Sequence, residues 1–483
     1  MSNTIPASAA TPMVRPDWRR WCGLAVMLTG TFMAILDVFI VNIAVPSIRA
    51  DLQADFAAVQ FVVAGYALPY AVMLITGGRL GDIFGRRRMF MLGLAGFTLA
   101  SLACGLAADP TALIAARLAQ GLAAAVMSPQ VFALMRVGFP GERERATAFA
   151  WLGVVIGLSS VAGQLLGGLL VEADLFGLAW RPVFLINLPL GLVALLAAPR
   201  LIAESRAEDA RRLDLAGVAG SALGLTLLLY PLIEGREAGW PAWAFAMLAA
   251  ALPVLALFLR DQQRKSRQRR APLLEMRLFG NPVFARGVVI VLAFYSTQNA
   301  FYLALTVTLQ AGLGLSPLQA GLVFAPLAIA FMASSILAGR MTVRHRHIAV
   351  AGGAALAAFA FLVTAWTACT AGAGLQARAL VAPLALLGIG CGLFMTPLLN
   401  TLLGSIPGRD SGSASGMITT MQQVGGAFGV ALVGIAVFGR IAAGGAAAYP
   451  QALGYAAAYG CGGCAVVFIL MLRLRRLQRI SAA

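Results

Sequence analysis

Charged residues are scarce in this sequence, and their scarcity excludes whole classes of protein. Only 11% of the 483 residues are Asp, Glu, Lys or Arg, whereas an ordinary soluble domain carries about 25%. Disorder requires few apolar residues and many charges, yet 60% of this chain is hydrophobic and its mean hydropathy is +0.85. The composition therefore argues against a soluble enzyme and a disordered chain, and it indicates a membrane protein.

The sequence also offers little from which a catalytic or metal site could be built. Its two histidines, His345 and His347, lie in an Arg-rich segment, where a metal site would need further ligands at suitable spacing. The six cysteines fall in or beside apolar runs, and the pair Cys461 and Cys464 has no His or Asp near it. Nucleotide-binding loops and hydrolase motifs are missing. We therefore expect neither an enzyme nor a metal or organic cofactor.

Long apolar runs fill most of the chain. About 20 apolar residues form a helix that crosses a hydrocarbon core about 30 Å thick, and backbone polar groups in lipid must be satisfied within the helix. We therefore predict an all-α polytopic membrane protein with fourteen spans, at residues 21–47, 56–78, 89–108, 111–135, 148–171, 183–200, 213–233, 239–259, 287–310, 317–339, 348–370, 379–404, 416–439 and 454–472.

The basic residues lie mostly on one side of the predicted membrane. Of the 36 Lys and Arg, thirty lie on the side of the N-terminal tail, five lie on the other side, and Arg117 lies within a span. Because loops rich in Lys and Arg stay in the cytoplasm, we predict a cytoplasmic-membrane protein with both termini inside. The net charge of +17 then reflects topology and contact with an anionic lipid bilayer, not nucleic-acid binding.

A basic stretch, residues 260–286, divides the spans into eight and six. The loop at 78–80 resembles the one at 339–341, as in transporters built from repeats. The predicted parts are an N-terminal tail (1–20), a six-helix half (21–205), two extra helices (206–260), a basic cytoplasmic linker (261–286), a second six-helix half (287–472) and a C-terminal tail (473–483). Residues 272–284 mix leucines with arginines, which predicts a helix lying in the membrane interface.

Two charged residues at membrane depth are the first candidates for function. Asp37 lies about eleven residues, roughly 16 Å along a helix, from the outer end of span 1, and Arg117 lies at a similar depth in span 4. An ionisable group at this depth costs several kcal/mol and marks a functional site by default. The two could instead form a structural salt bridge, since either one alone would be an unpaired buried charge.

A glycine-rich basic loop follows span 2. Residues 78–88 read Gly-Arg-Leu-Gly-Asp-Ile-Phe-Gly-Arg-Arg-Arg; the glycines permit a tight turn, and the acid can pair with the arginines at a helix end. This loop resembles the signature of the major facilitator superfamily and matches it at every fixed position. The resemblance implies two six-helix halves that rock about a central cavity, with a gating loop that includes Gly78, Asp82, Gly85, Arg86 and Arg87.

Further segments are similar to the fourteen-helix drug:proton antiporter branch (the EmrB/QacA type) of that superfamily. They are residues 36–48, 117–121, 184–191, 272–279 and 415–426. In span 5 the antiporter motif lacks its proline, because Gln164 stands in its place. Small residues in that span predict close helix packing; they are Gly153, Gly157, Gly163, Gly167 and Gly168.

The resemblance implies a secondary transporter that exports small amphipathic or cationic compounds in exchange for protons, driven by the proton gradient. Asp37 would carry the coupling proton, Arg117 would adjust how tightly it is held, and an entering cation would displace it by charge repulsion. Partners would be the small-molecule substrate, protons and the bilayer, and could include accessory efflux components. Polar residues at membrane depth could line the cavity or bond neighbouring helices; they are Gln60, Tyr66, Gln164, Gln298, Asn299 and Gln310.

Two other interpretations remain open at this point. A transporter for a metabolite, such as a sugar, an organic acid or an amino acid, would have the same spans. A non-transporting receptor or scaffold would need a soluble sensing or docking domain, yet no loop exceeds about 28 residues.

Overall fold

The computed structural model describes residues 18–54, 56–207, 213–235, 238–268, 270, 272–341, 343–444 and 448–482. Within these residues lie fourteen membrane-spanning segments, which confirms the spans predicted from hydropathy. The α-helices are α1 (Trp18–Asp51), α2 (Phe56–Phe84), α3 (Arg86–Gly105), α4 (Pro110–Gly138), α5 (Glu142–Glu172), α6 (Pro182–Leu185), α7 (Asn187–Leu201), α8 (Leu215–Glu234), α9 (Ala242–Arg267), α10 (Pro282–Val307), α11 (Pro317–Arg340), α12 (Val343–Ala371), α13 (Ala377–Gly404), α14 (Ser411–Gly444) and α15 (Ala448–Ala482). The sixth span is made of α6 and α7 together.

Local sequence signals determine where several helices begin. Asp109 precedes α4 and accepts a hydrogen bond from the N–H of Ala112 at 2.9 Å. Ser316 and Gln319 form a reciprocal capping box at the start of α11, and Asn281 caps α10. A proline follows each of these caps, where its missing N–H costs nothing and its fixed φ suits the first helical turn.

The helices form two halves with an extra pair beside their junction. In the first half, α2 and α3 pack on α4, and α1 packs on α5; in the second, α11 and α12 pack on α13, and α10 packs on α14. The halves meet where α5 packs against α11 and α2 packs against α14. Helices α8 and α9 pack on each other, and α8 also contacts α2 and α14. The inserted pair therefore lies next to helices from both halves.

The two ends of the bundle carry different charged groups. One end, the basic face, is defined by Arg86 at the start of α3 and Arg136 in the last turn of α4. At the opposite face, Asp51 pairs with Arg181 at 2.7 Å. Hydrogen bonds from Arg181 and then Trp180 hold the pKa of Asp51 below its ordinary value. These contacts tie the end of α1 to the start of the sixth span.

Glycines let α5, the helix of span 5, approach its neighbours closely. A Cβ on Gly153 would lie 2.6 Å from Ser335 Oγ of α11, and a Cβ on Gly163 would lie 2.7 Å from Phe39 Cβ of α1. Helix α5 therefore packs on α11 near one end and on α1 near the other. Gly157 likewise packs against α11, and Gly167 packs against α1. A Cβ on Gly168 would come only to 4.0 Å from Leu318.

The linker before α10 packs into the protein instead of lying along the lipid. Our prediction of an interfacial helix over residues 272–284 is wrong, since one 3₁₀ turn, Met276–Gly280, precedes α10. Leu273 and Leu274 are fully buried. The N–H of Leu274 donates to Oε1 of Gln262, a buried side chain on α9, at 3.0 Å. The leucines face the core because a polar group of α9 binds the linker backbone.

Some predicted features fall outside the described parts of the structure. Most of the predicted N-terminal tail lies there, as do the side chains of Gln60, Gln164, His345 and His347. The predicted C-terminal tail continues as helix α15 to Ala482.

Candidate functional site

Asp37 and Arg117 form a buried ion pair inside the first half. Nη1 of Arg117 donates to Oδ2 of Asp37. The Arg117 side chain is 2% exposed and the Asp37 side chain is 0% exposed. Nε of Arg117 donates to the carbonyl of Val62 at 2.9 Å, so the guanidinium bridges α1, α2 and α4. A buried pair of this kind is costly to break by removing one partner, at about 3–5 kcal/mol.

Gln120 completes the pair and extends it toward α3. Its Nε2 donates to Oδ1 of Asp37 at 2.8 Å and lies 2.8 Å from Oγ of Ser101, while its Oε1 accepts from Arg117 at 2.7 Å. Nδ2 of Asn187 donates to the same Ser101 hydroxyl at 3.1 Å. Both carboxylate oxygens of Asp37 are therefore occupied. We did not predict Gln120, although its position one helical turn after Arg117 was the available signal.

Tyr66 covers the ion pair on the side of α2. The guanidinium carbon of Arg117 lies 4.6 Å from the centre of the Tyr66 ring. The Tyr66 hydroxyl donates to the carbonyl of Ala34 at 3.2 Å, and the side chain is only 2% exposed. Tyr66, predicted as a cavity residue, is thus part of the wall that separates Asp37 from the centre of the bundle.

The predicted gating loop reaches across to the second half. Oδ1 of Asp82 accepts from Nη2 of Arg86 at 2.7 Å and from the N–H of Gly412 at 3.1 Å. Oδ2 accepts from the N–H of Ser413 at 3.0 Å. Gly412 and Ser413 are in the first turn of α14, whose free N–H groups and dipole favour an anion. The carboxylate thus caps a helix of the other half, which the sequence pattern did not reveal.

Two arginines make the complementary contact with the end of α13 and with the connection between α13 and α14. Nε of Arg136 donates to the carbonyl of Leu403 at 2.7 Å, and its Nη2 donates to that of Ile406 at 3.1 Å. Arg86 also crosses between the halves, because its Nη2 donates to the carbonyl of Gly408 at 3.0 Å. An anion on the start of α14 and cations on the end of α13 therefore hold the same connection at the basic face.

The remaining loop residues form a turn within the first half, except Gly78, which contacts the second half. Gly85 has a φ of +104°, a backbone conformation that glycine adopts without strain. The N–H groups of Arg87 and Arg88 donate to Glu204 at 3.0 and 3.2 Å. Gly78 approaches the backbone of α14 so closely that a Cβ would overlap the carbonyl of Gly412. The loop therefore combines an internal turn with a tight contact between halves.

The predicted cavity residues separate in the structure. Nε2 of Gln298 donates to Sγ of Cys391 at 2.7 Å, and its Oε1 is buried without a partner among the described residues. Asn299 packs against Gly426 of α14. Gln310 is exposed in a π-helical turn, Thr308–Gly312, near the end of its span. A role for Gln310 in lining the cavity stays a prediction.

A family comparison decides what kind of protein this arrangement belongs to. The sequence profile of the Major Facilitator Superfamily matches residues 27–217 and 208–430. The chain belongs to the major facilitator superfamily. It is accordingly a transporter and not an enzyme.

Curated relatives of this facilitator are similar over most of its length. It is 40% identical over 427 residues to a Streptomyces coelicolor protein named "Probable actinorhodin transporter", covering 88% of this chain and 74% of the relative. It is 36% identical to a cephamycin export protein of Amycolatopsis lactamdurans, covering 85% and 83%. It is 33% identical to a tetracenomycin C resistance and export protein of Streptomyces glaucescens, covering 90% and 79%. These relatives agree with the predicted drug-export branch.

Solved structures support the fold of this facilitator. The proton:xylose symporter XylE covers 95% of this chain with a TM-score of 0.66 at 13% identity, and 96% of the symporter is covered. The human organic anion transporter MFSD10 also covers 95% of this chain, with a TM-score of 0.63 at 15% identity, and all of that chain is covered. The major facilitator fold predicted from the loop motif is confirmed.

Proposed function

We propose that this facilitator exports small amphipathic or cationic compounds across the cytoplasmic membrane in exchange for protons. The basic face, with both chain termini, would lie in the cytoplasm, as the distribution of Lys and Arg predicts. The observation that carries the proposal is the buried ion pair of Asp37 and Arg117. The relatives named for export of cephamycin and tetracenomycin C favour export over uptake of a metabolite.

Protonation of Asp37 would change the electrostatic interactions of the surrounding residues. A proton on its carboxyl removes the negative charge that balances Arg117, so that the guanidinium loses its main attraction in a low-dielectric site. Asp37 lies on α1 and Arg117 on α4, while α1 packs on α5 along the glycines of span 5. A change at the pair therefore acts on helices that contact the second half.

Direct displacement of the proton by a cationic substrate, which we predicted, is not supported by this arrangement. Asp37 has both oxygens bonded and is fully buried behind Tyr66 and Arg117. A substrate between the halves would meet Tyr66 before it met the carboxylate. We propose that exchange is indirect, with substrate and proton favouring different arrangements of the same helices.

An exchanger alternates between two states, and the contacts at the basic face stabilise one of them. In this structure Asp82 and Arg136 bind the helices of the other half there, so the halves are joined at the face that we place in the cytoplasm. Alternating access would require these contacts to break and form again in each cycle. The proton gradient would drive the cycle without a cofactor, and accessory envelope components remain a prediction.

The test is transport by Asp37→Asn in proteoliposomes with an imposed pH gradient. Probe substrates are ethidium, a planar cation, and 2-(hydroxymethyl)anthraquinone, which is uncharged. We expect gradient-driven accumulation to fall at least about tenfold, because Asn cannot exchange a proton at this position. Binding of the probes without a gradient should persist, and Asp37→Glu should retain part of the coupling.

Asp51→Asn is the matched control, since it removes a carboxylate paired with an arginine at the opposite face. It should accumulate the probes as the unmodified protein does. Accumulation by Asp37→Asn with an unchanged pH dependence would make Asp37 structural and overturn the proposal.

A further inference from the structure

A cluster of phenols and amides lies at the middle of the bundle, apart from the ion pair. Tyr70 is the central residue of the 29-residue helix α2, and Tyr295 is near the middle of the 26-residue helix α10. Gln422 and Gln423 are halfway along the span Ser411–Ala436. Helix α2 belongs to the first half, and α10 and α14 belong to the second. We call these four residues the central cluster.

Contacts within the central cluster cross from one half to the other. The Tyr70 side chain interacts with the side chains of Ser128 and Gln423. Nε2 of Gln422 donates to the Tyr295 hydroxyl at 3.0 Å. The four side chains therefore face one another and not the surrounding lipid, where unmatched polar groups would be costly.

The central cluster is not closely packed. All four of its side chains are partly exposed, although they lie at mid-membrane depth and point into the bundle. Their accessible surface therefore opens into the space between the halves. Gln298, one helical turn after Tyr295 on the same face of α10, is 4% exposed, and its Oε1 has no partner among the described residues. An unpartnered buried acceptor indicates a position where a ligand or water donates a hydrogen bond.

The chemistry of this region is polar but uncharged. The hydrogen-bond partners of the central cluster and Gln298 in the described residues are phenols, amides, Ser128 and the thiol of Cys391. Asp37 and Arg117 are the charged residues in the middle of the spans; they neutralise each other and lie behind the Tyr66 ring. A cationic ligand would therefore lose its hydration without gaining a counterion.

Aromatic faces do not change this conclusion. A phenol face can attract a cation, but two of these faces are already in use. The rings of Tyr66 and Tyr70 stack on each other, with centroids 5.7 Å apart and 15° between their planes, and Arg117 lies over Tyr66. What the region offers instead is flat surface for stacking, with hydroxyl and amide groups at its edges.

We infer that the central cluster binds planar, uncharged aromatic compounds that carry carbonyl or hydroxyl oxygens. The inference rests on the proposed function and narrows its substrate class from amphipathic or cationic compounds to uncharged ones. The phenols and the amide N–H groups donate to ligand oxygens, while the free Gln298 oxygen accepts from a ligand hydroxyl. The same ligand contacts Tyr70. Tyr70 stacks on Tyr66, which covers the ion pair of Asp37 and Arg117.

The test is calorimetric binding to the intact protein in nanodiscs, with no proton gradient. The probes are 2-(hydroxymethyl)anthraquinone and ethidium, which are both planar but differ in charge. We expect the anthraquinone to bind at least about tenfold more tightly than ethidium. Tyr70→Phe and Gln422→Leu should each weaken anthraquinone binding about five- to tenfold, as expected for one lost hydrogen bond.

Tyr459→Phe is the matched control, because it removes a phenol hydroxyl that bonds Ser296 at 2.7 Å outside the central cluster. It should bind the anthraquinone as the unmodified protein does. Tighter binding of ethidium, or unchanged anthraquinone affinity in both cluster variants, would overturn the inference. Because binding is measured without a gradient, its outcome is independent of proton coupling. Loss of cluster binding with Asp37-dependent transport intact would reject the substrate class alone.

Discussion

Asp37 and Asp82 are both buried carboxylates beside an arginine, but they have different roles because their other hydrogen-bond partners differ. Asp37 is bonded entirely within the first half, to Arg117 and Gln120. Asp82 is bonded to Arg86 and to backbone N–H groups of α14 in the second half. A proton on Asp37 would therefore change the first half, whereas a change at Asp82 alters the attachment between halves.

Asp214 provides a test of stability against pH at the residue scale. It caps α8 by accepting from the N–H of Gly217 and pairs with Lys265 of α9 at 2.9 Å. Burial alone would raise the pKa of Asp214, but hydrogen bonds from Gln262 and Lys265 outweigh it and keep the pKa below its ordinary value of 3.8. A depressed pKa in the folded state contributes stability above the unfolded value, and this contribution is lost as the pH falls through the folded value.

Asp214→Asn should therefore lower the thermal midpoint at pH 7, because the loss of charge-assisted hydrogen bonds reduces the free energy of unfolding by about 1–3 kcal/mol. The difference from the unmodified protein should shrink as the pH falls below 3.8. Thermal unfolding in detergent between pH 3 and pH 8 measures both. Asp109→Asn, an exposed helix cap that bonds Ala112, should show a smaller loss at pH 7. A pH-independent difference for Asp214→Asn would mean that its carboxylate charge does not contribute.

At the scale of single helices, hydropathy predicted the spans well and the linker badly. Apolar runs determine spans because lipid selects for length and composition. The leucines of the linker satisfy the same preference by entering the protein core, as Leu274 does. A pattern of apolar residues cannot distinguish a protein interior from a membrane interface. That distinction depends on Gln262, whose bond to the Leu274 backbone links two segments twelve residues apart.

Asp82→Asn tests the capping of α14. The substitution keeps the size of the side chain but removes the charge that faces the helix dipole and Arg86. We expect turnover to fall about tenfold at matched expression, and amide exchange of residues 411–416 to rise, because the closed basic face loses about 1–3 kcal/mol. Transport assays and hydrogen exchange read by mass spectrometry measure the two effects, while probe binding should be retained.

Glu204→Gln is the control for this variant. Glu204 lies at the same face and also accepts backbone N–H bonds, from Arg87 and Arg88, but only within the first half. Its removal should leave exchange at 411–416 unchanged. If both variants change exchange at the start of α14 equally, the effect is a general loss of negative charge at this face and not the loss of a cap.

At the scale of the whole molecule, the sequence predicted the site residues more readily than their partners. The depth of Asp37 and Arg117 could be measured along two helices of known rise, and the local loop motif identified Asp82. The partners of Asp82 in α14 lie about 330 residues away in the chain, and no local pattern links them. The central cluster was missed for the same reason, since Tyr70 and Gln423 come from different halves.

The close backbone approach of α2 and α14 offers a test of how the halves move. A Cβ on Gly416 would lie 3.2 Å from the Cα of Ile75 and 3.5 Å from that of Gly78, and a Cβ on Gly78 would overlap the Gly412 carbonyl. Because the obstacle is backbone and not a flexible side chain, Gly78→Val should prevent α2 and α14 from meeting. The basic face would then remain open, and a protein that must alternate between two states would be held in one.

We expect Gly78→Val to lose at least about nine tenths of its transport while it still binds the uncharged probe, with faster amide exchange at residues 411–416. Gly462→Val is the matched control. It introduces the same β-branched residue into a membrane helix, at an exposed position where a Cβ would have nothing within 4 Å, so any cost of helix propensity is shared. Transport and exchange in that variant should resemble those of the unmodified protein. If Gly78→Val transports normally with unchanged exchange at α14, the two halves close without this contact, and Asp82 and Arg136 act on a joint that does not limit the cycle.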